Sequence, residues 1–212
     1  MFAFIFSTKG QAFEPTVLIL TPYNTSADAS LQDEINEYNE MISQSRGRYM
    51  RSLEMVFLHE EDLAENEKIM YRKQMEFFDH LDYFGMVTSI SEAFLQFLFS
   101  EHFEDLLIYA TNEKVESDAH KFEALADKNE TQFVINFSEV SSFIIDGSKQ
   151  TRIRLQLYDN NKNEILLDKE YIGHDHDPGL KFACDEGSLS CTINNALSAA
   201  LNEVASLIVV NI

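Results

Sequence analysis

"TRIRLQLYDNNKNEILLDKEYIG", Thr151 to Gly173, is the stretch that decides the fold. Its first half alternates strictly. Ile153, Leu155 and Leu157 fall on one face, and Arg152, Arg154 and Gln156 on the other. A period of two is that of a strand with one buried and one wet face. "NNKN" turns the chain, and "EILLDKEYIG" returns as the partner strand. Just upstream, "TQFVINFSEVSSFII" is a long run of β-formers, and Asp146-Gly147 supplies a tight turn into the alternating strand. The three strands read as an antiparallel meander with one solvated face.

Downstream stands the clearest helix. Leu189, Ile193, Ala196, Leu197, Ala200, Leu201, Val204, Leu207 and Ile208 make an unbroken stripe, with Ser188 placed to cap it after Gly187. Upstream, "TVLILTPYNT" (Thr16 to Thr25) predicts a buried strand ending at Pro22, and Asp28 or Ser30 marks the start of a helix. From there to about residue 100 the pattern is helical. Ile35, Tyr38, Ile42, Ser45, Tyr49, Leu53 and Val56 form one stripe. Met70, Gln74, Phe77, Leu81 and Phe84 form a second, and Met86, Ile90, Phe94, Phe97 and Leu98 a third. Such stripes usually face a core. "FEDLLIYA" (Phe103 to Ala110) is strand-like. "SDAHKFEALADKNE" predicts a short helix capped by Ser117 or Asp118, with Phe122, Leu125 and Ala126 inward.

The expected class is therefore α+β. A mixed sheet carries a C-terminal three-strand meander and is packed by helices, with an inserted helical segment near residues 30–100. Residues 13–212 read as one domain with a helical elaboration at about 30–85.

The chain has 212 residues, 45% of them hydrophobic, enough for a substantial core. Its net charge is −20, with 16 basic and 36 acidic side chains. That balance argues against nucleic acid and anionic lipid as partners, because phosphate neutralisation needs clustered Lys and Arg. No run of about 18 apolar residues occurs, so no integral membrane segment is expected. The beginning, "MFAFIFSTKGQAFEP", has two readings. Residues 1–12 resemble the tail end of a secretory signal, an apolar piece followed by small residues up to Ala12. Alternatively, residues 2–6 are an extra strand or a tail.

The order strand, helices, strand, helix, meander, helix resembles the TolB N-terminal-like domains of exported bacterial proteins and lipoproteins. "ISEAFLQFLFSEHFEDLLIYA" (Ile90 to Ala110), "FEALADKNETQFVINFSEV" (Phe122 to Val140) and the opening hairpin carry the resemblance. It covers about residues 16–25 and 86–208. It implies an envelope-located mixed α/β module that binds other proteins and has no active site of its own.

Searching for chemistry gives mostly absences. Glycine is scarce, seven in all, and no Gly-rich phosphate loop occurs. His59-Glu60 begins like a zincin helix, but Leu63 stands where the second histidine belongs. No Gly-x-Ser-x-Gly elbow occurs. The exception is "HDHDPGLKFACDEGSLSC", His174 to Cys191. His174 and His176, with Asp175 and Asp177, suit a borderline divalent metal, provided a further ligand comes from elsewhere. On an extended chain the two histidines share a face and the two aspartates take the other. The competing reading is a polar turn closed by Pro178-Gly179. Cys184 and Cys191 close a small ring as a disulfide if the chain is exported, and are two thiols, one near a helix start, in a reducing cytosol.

Three functions follow from these features. The first is a non-catalytic, periplasmic or otherwise exported module whose partners are other envelope proteins, with a cytoplasmic location as the alternative. The second is a divalent-metal-binding protein that uses the His174/His176 loop. The third is an enzyme with an unfamiliar site.

Overall fold

The computed structural model describes residues 16–57, 65–99, 107–176, 184 and 186–212. Among the described residues, six strands form one mixed sheet, β1 (Thr16–Leu20), β2 (Asn24–Ala27), β3 (Leu107–Thr111), β4 (Phe133–Ile145), β5 (Ser148–Asp159) and β6 (Glu164–His174). Their order is β3-β1-β4-β5-β6, with β2 also paired to β4. The helices are α1 (Gln32–Phe57), α2 (Glu65–Asp79), α3 (Met86–Phe99), α4 (Ala119–Asn129) and α5 (Leu189–Val210). The α+β class and the meander stand as the sequence predicts.

The two halves of the sheet follow from two kinds of strand. The run Val17-Leu18-Ile19-Leu20 in β1 is buried on both faces, as a central parallel strand must be. β3 and β4 flank it, both parallel. Val17 and Ile19 join the larger core under α1, α3 and α5, while Leu18 and Leu20 join Phe122 and Ala126 of α4 on the opposite face. β5 and β6 complete the antiparallel half. There Ile153, Leu155 and Leu157 are fully buried under α5, and the opposite face is open at Arg152 and Arg154 but closed at Gln156 and Tyr158, the latter packed against Phe122 of α4. On the open face Arg154 makes a two-pronged ion pair with Asp168 (2.7 and 3.0 Å), and Arg152 pairs with Glu170 (3.3 Å). The Asp146-Gly147 hairpin has φ of 51° and 82°, the left-handed values that a two-residue turn between twisted strands requires.

β2 is the element the sequence reading missed. Pro22 ends β1, and the chain then pairs in parallel with the second half of β4, Asn24 opposite Glu139 through Ala27 opposite Ser142. The strand is short and polar, so it carries no alternation signal. At the changeover, Tyr23 N–H donates to Phe137 O (2.9 Å), and the β4–β5 register shifts between Phe137 and Glu139. Asp28, expected with Ser30 as the alternative N-cap, does precede a short 3-10 helix, but its side chain makes no cap hydrogen bond. Instead its N–H donates to Ser142 O, and its carboxylate accepts from Ile144 N–H (2.9 Å each), gripping β4. A 3-10 turn, Ala29–Leu31, leads into α1.

The second apolar stripe is broken rather than continuous. α2 stops at Asp79, so Leu81 and Phe84 belong to the link into α3. The strand expected over 103–110 is described from Leu107; its first residues lie outside the described range. α5 has 22 residues and a hydropathy of 1.4, long and apolar enough to cross a membrane by length and composition, yet half of that window is buried inside the protein. It is the core helix laid across β5 and β6. Gly173 permits this approach, because a Cβ there would lie 2.0 Å from Thr192 O and 2.4 Å from Ala196 N.

Candidate functional site

The segment from His174 to Cys191 joins β6 to α5, and three fastenings hold its described part. Asp175 is buried. Its carboxylate accepts from Ser148 Oγ (2.8 Å) and Lys149 N–H (3.1 Å), which ties the end of β6 to the start of β5. Burial opposes ionisation of this carboxyl, but these donors, with His176 nearby, outweigh it and hold the pKa below the usual carboxylate value. Asn195, buried in α5, is the second fastening. It donates to His174 O (2.7 Å) and Cys184 O (2.9 Å) and accepts from Cys184 N–H (2.9 Å). The third is a bond between the cysteine sulfurs, with Cα atoms of Cys184 and Cys191 5.1 Å apart.

The start of α5 is equally well held. Ser188 caps the helix from within. From α1, Glu34 accepts from Leu189 N–H (2.8 Å) and pairs with Lys149 (2.7 Å). Lys149 also donates to Gly187 O (3.2 Å), and Tyr38 O–H to Ser190 Oγ (2.8 Å). Beneath this joint, Tyr83, Ser142, Thr151 and Thr192 form a buried relay of hydroxyls that ends on Leu189 O. Burial pushes the Tyr83 phenol up to about 12, so it stays a neutral hydrogen-bonding group.

These contacts separate the proposed metal ligands. His174 and His176 are exposed, whereas Asp175 is turned inward and engaged. The His176 ring lies against Gly187. Asp177 lies outside the described residues. Among the described residues, the group of three donor atoms within 4.8 Å of one another is Cys184, Glu186 and Cys191. Its two sulfurs are bonded to each other, so neither is available as a thiolate.

The second feature is a groove that the sequence reading assigned to the core. The α1 stripe begins buried at Ile35, just after the buried Leu31 of the 3-10 turn, but side chains further along α1 are half-buried or exposed. Tyr38, Met41 and Ile42 face Phe78, Leu81 and Met86 across an apolar recess of about 290 Å³. Met41 is 52% exposed. Arg46 stands in the same recess. Its Nη2 donates to Leu81 O (3.0 Å), and its Nε is buried with no acceptor among the described residues. Spacing alone does not distinguish a stripe that meets a core from one that lines a groove. Arg46, one turn beyond Ile42, was the available signal.

A third feature is a buried carboxyl. Glu92 of α3 is 5% exposed and accepts from Gln74 Nε2 of α2 (2.8 Å). Burial pushes its pKa up to about 7, against the hydrogen bond. Its neighbours Ser91 and Leu95 are apolar-face positions of α3, which is the signal that an acid there is enclosed.

No protein-family model matches the chain, and no curated protein matches it. Twelve solved chains match in structure. A hypothetical protein from Chlamydia trachomatis has 9% identity and a TM-score of 0.37, over 91% of this chain and 95% of that one. The C-terminal domain of LpoB from Salmonella enterica has 9% identity and a TM-score of 0.25, over 77% and 85%. A lipoprotein from Neisseria meningitidis has 12% identity and a TM-score of 0.34, over 91% and 99%.

Proposed function

We propose that this chain is a non-catalytic, exported module of the cell envelope that binds another protein through the groove between α1 and the α2–α3 link. The Cys184–Cys191 bond carries the reading. It closes a joint on which the placement of α5 depends, and such bonds persist in oxidising compartments. The groove fits a partner that presents apolar side chains together with one hydrogen-bond acceptor, which would satisfy Arg46 Nε. The strand order, a parallel β3-β1-β4 core followed by a meander, supports the likeness to TolB N-terminal-like domains and the export it implies.

The test has two arms. Native protein, fractionated and weighed without reductant, should lack two hydrogens at its cysteines and leave with the envelope fraction. Free thiols in a cytosolic fraction overturn export. A photoreactive residue at position 41 should crosslink one protein that the same residue at position 161, on the β5–β6 turn, does not. Equal crosslinking from both positions removes the groove from the reading.

A further inference from the structure

In an open sheet with parallel strands, ligands settle outside the carboxyl ends of those strands. Here β1 leads to β3 on one side, and β3 leads across β1 to β4 on the other. The crevice between β1 and β4, where the order reverses, is filled by β2. One strand over, the carboxyl ends of β1 and β3 open into a cavity of about 330 Å³. Thr21 follows β1, Asn112 and Lys114 follow β3, and His80 and Asp82 come from the α2–α3 link. Phe77, itself 1% exposed, adds an apolar wall.

The polar groups are of two kinds. Lys114 brings an ammonium that has no carboxylate partner among the described residues. His80 Nδ1 lies 2.9 Å from Glu76 O and 3.3 Å from Asn112 Nδ2. A carbonyl can only accept, so the tautomer that satisfies the shorter contact carries its proton on Nδ1 and offers Nε2 as an acceptor. Asp82 uses Oδ1 to accept from Gly85 N–H (2.7 Å), which leaves Oδ2. The cavity therefore offers one cation and two acceptors beside an apolar wall. A simple anion would meet a net charge of −20 with a single lysine to hold it. A simple cation would leave Lys114 opposed.

We propose that this cavity binds a small zwitterion of the α-amino acid type. Its carboxylate pairs with Lys114, its ammonium donates to Asp82 and His80 Nε2, and its side chain lies along Phe77. The full chain, titrated with each standard L-amino acid by calorimetry, should bind at least one with Kd below about 1 mM. Amide shifts on binding should centre on Thr21, Asp82, Asn112 and Lys114. Lys114→Met should weaken binding by at least about tenfold, as expected for loss of a charge-assisted hydrogen bond. Because Lys114 is exposed and outside both cores, that variant tests the site without threatening the fold. The proposal is overturned if no amino acid binds, if Lys114→Met binds unchanged, or if only inorganic phosphate or dipeptides shift those amides.

Discussion

The carboxylate of Glu34 on α1 accepts the N–H of Leu189, the first residue of α5, at 2.8 Å. The two residues lie 155 positions apart. An acid at a helix N-terminus satisfies an otherwise orphaned donor and complements the helix dipole. Glu34 also holds Lys149, which reaches Gly187 O. One side chain therefore connects α1, the β4–β5 hairpin and the entry to α5. Glu34→Ala is expected to lower stability by about 1–2 kcal/mol, the usual loss for a helix cap. Urea unfolding monitored by circular dichroism reads this directly. An unchanged midpoint would mean that Ser188 alone suffices as the cap.

The cysteine bond closes a ring with a sequence separation of seven. The loop-entropy model credits such a ring with about 2.5 kcal/mol. Replacing both cysteines by serine should lower stability by that much, read from denaturant unfolding, without loss of the native fold, because Asn195 still holds the backbone at positions 184 and 174. Hydrogen exchange should rise first at residue 184. Global unfolding of the double variant would show that the bond, and not Asn195, is the main fastening.

Gly173 lies where α5 comes nearest to β6. A methyl group there would meet Thr192 O and Ala196 N, both backbone atoms. Neither can swing aside, so the helix must lift from the sheet. Gly173→Ala is expected to cost about 3 kcal/mol, the upper end of ordinary overpacking. Gly47, exposed in α1, is the control, and Gly47→Ala should be neutral or slightly stabilising. Thermal melts that show equal effects at the two positions would contradict the close approach.

Glu92 gives the fold a pH dependence. Its carboxyl is raised by burial from 4.5 to about 7 in the folded chain. The folded state thus keeps a proton that the unfolded state has released. Stability from this group is fully present below pH 4.5 and is lost as pH rises towards about 7. The loss is on the order of 3 kcal/mol. Glu92→Gln keeps the shape and a partner for Gln74 but cannot ionise. Its midpoint should match the natural protein at about pH 5 and exceed it at about pH 8. Parallel curves across that range would place the titration elsewhere.

Much of the architecture was legible because it rests on local repetition. The alternation in β5, the Asp-Gly turn and the α5 stripe each announce an element within a dozen residues. The Ser188 cap and the Asp118 cap, whose side chain accepts from His120 N–H, were readable for the same reason. β2 was not, since its four residues, three of them polar, gain their strand form only from β4. Asp28 holds the cap position before the 3-10 turn, but its carboxylate serves β4 instead, because caps and strand-end clasps use the same short acid. Asn195 stood in plain view inside an apolar stripe. Its meaning needed the ends of β6 and the cysteine loop beside it.

The sequence by itself determined the alternation, the turns, the caps and the apolar faces, because these depend on neighbours along the chain. It also determined the acidity that sets which ligands the surface tolerates. Tertiary structure alone decided that Asp175 turns inward while His174 and His176 stay out. It also decided that α1 leaves the core to line a groove, and that Thr21, His80, Asp82 and Lys114 meet around one cavity. Those outcomes depend on which distant groups desolvate one another and which donors find acceptors across the fold. No spacing along the chain encodes them.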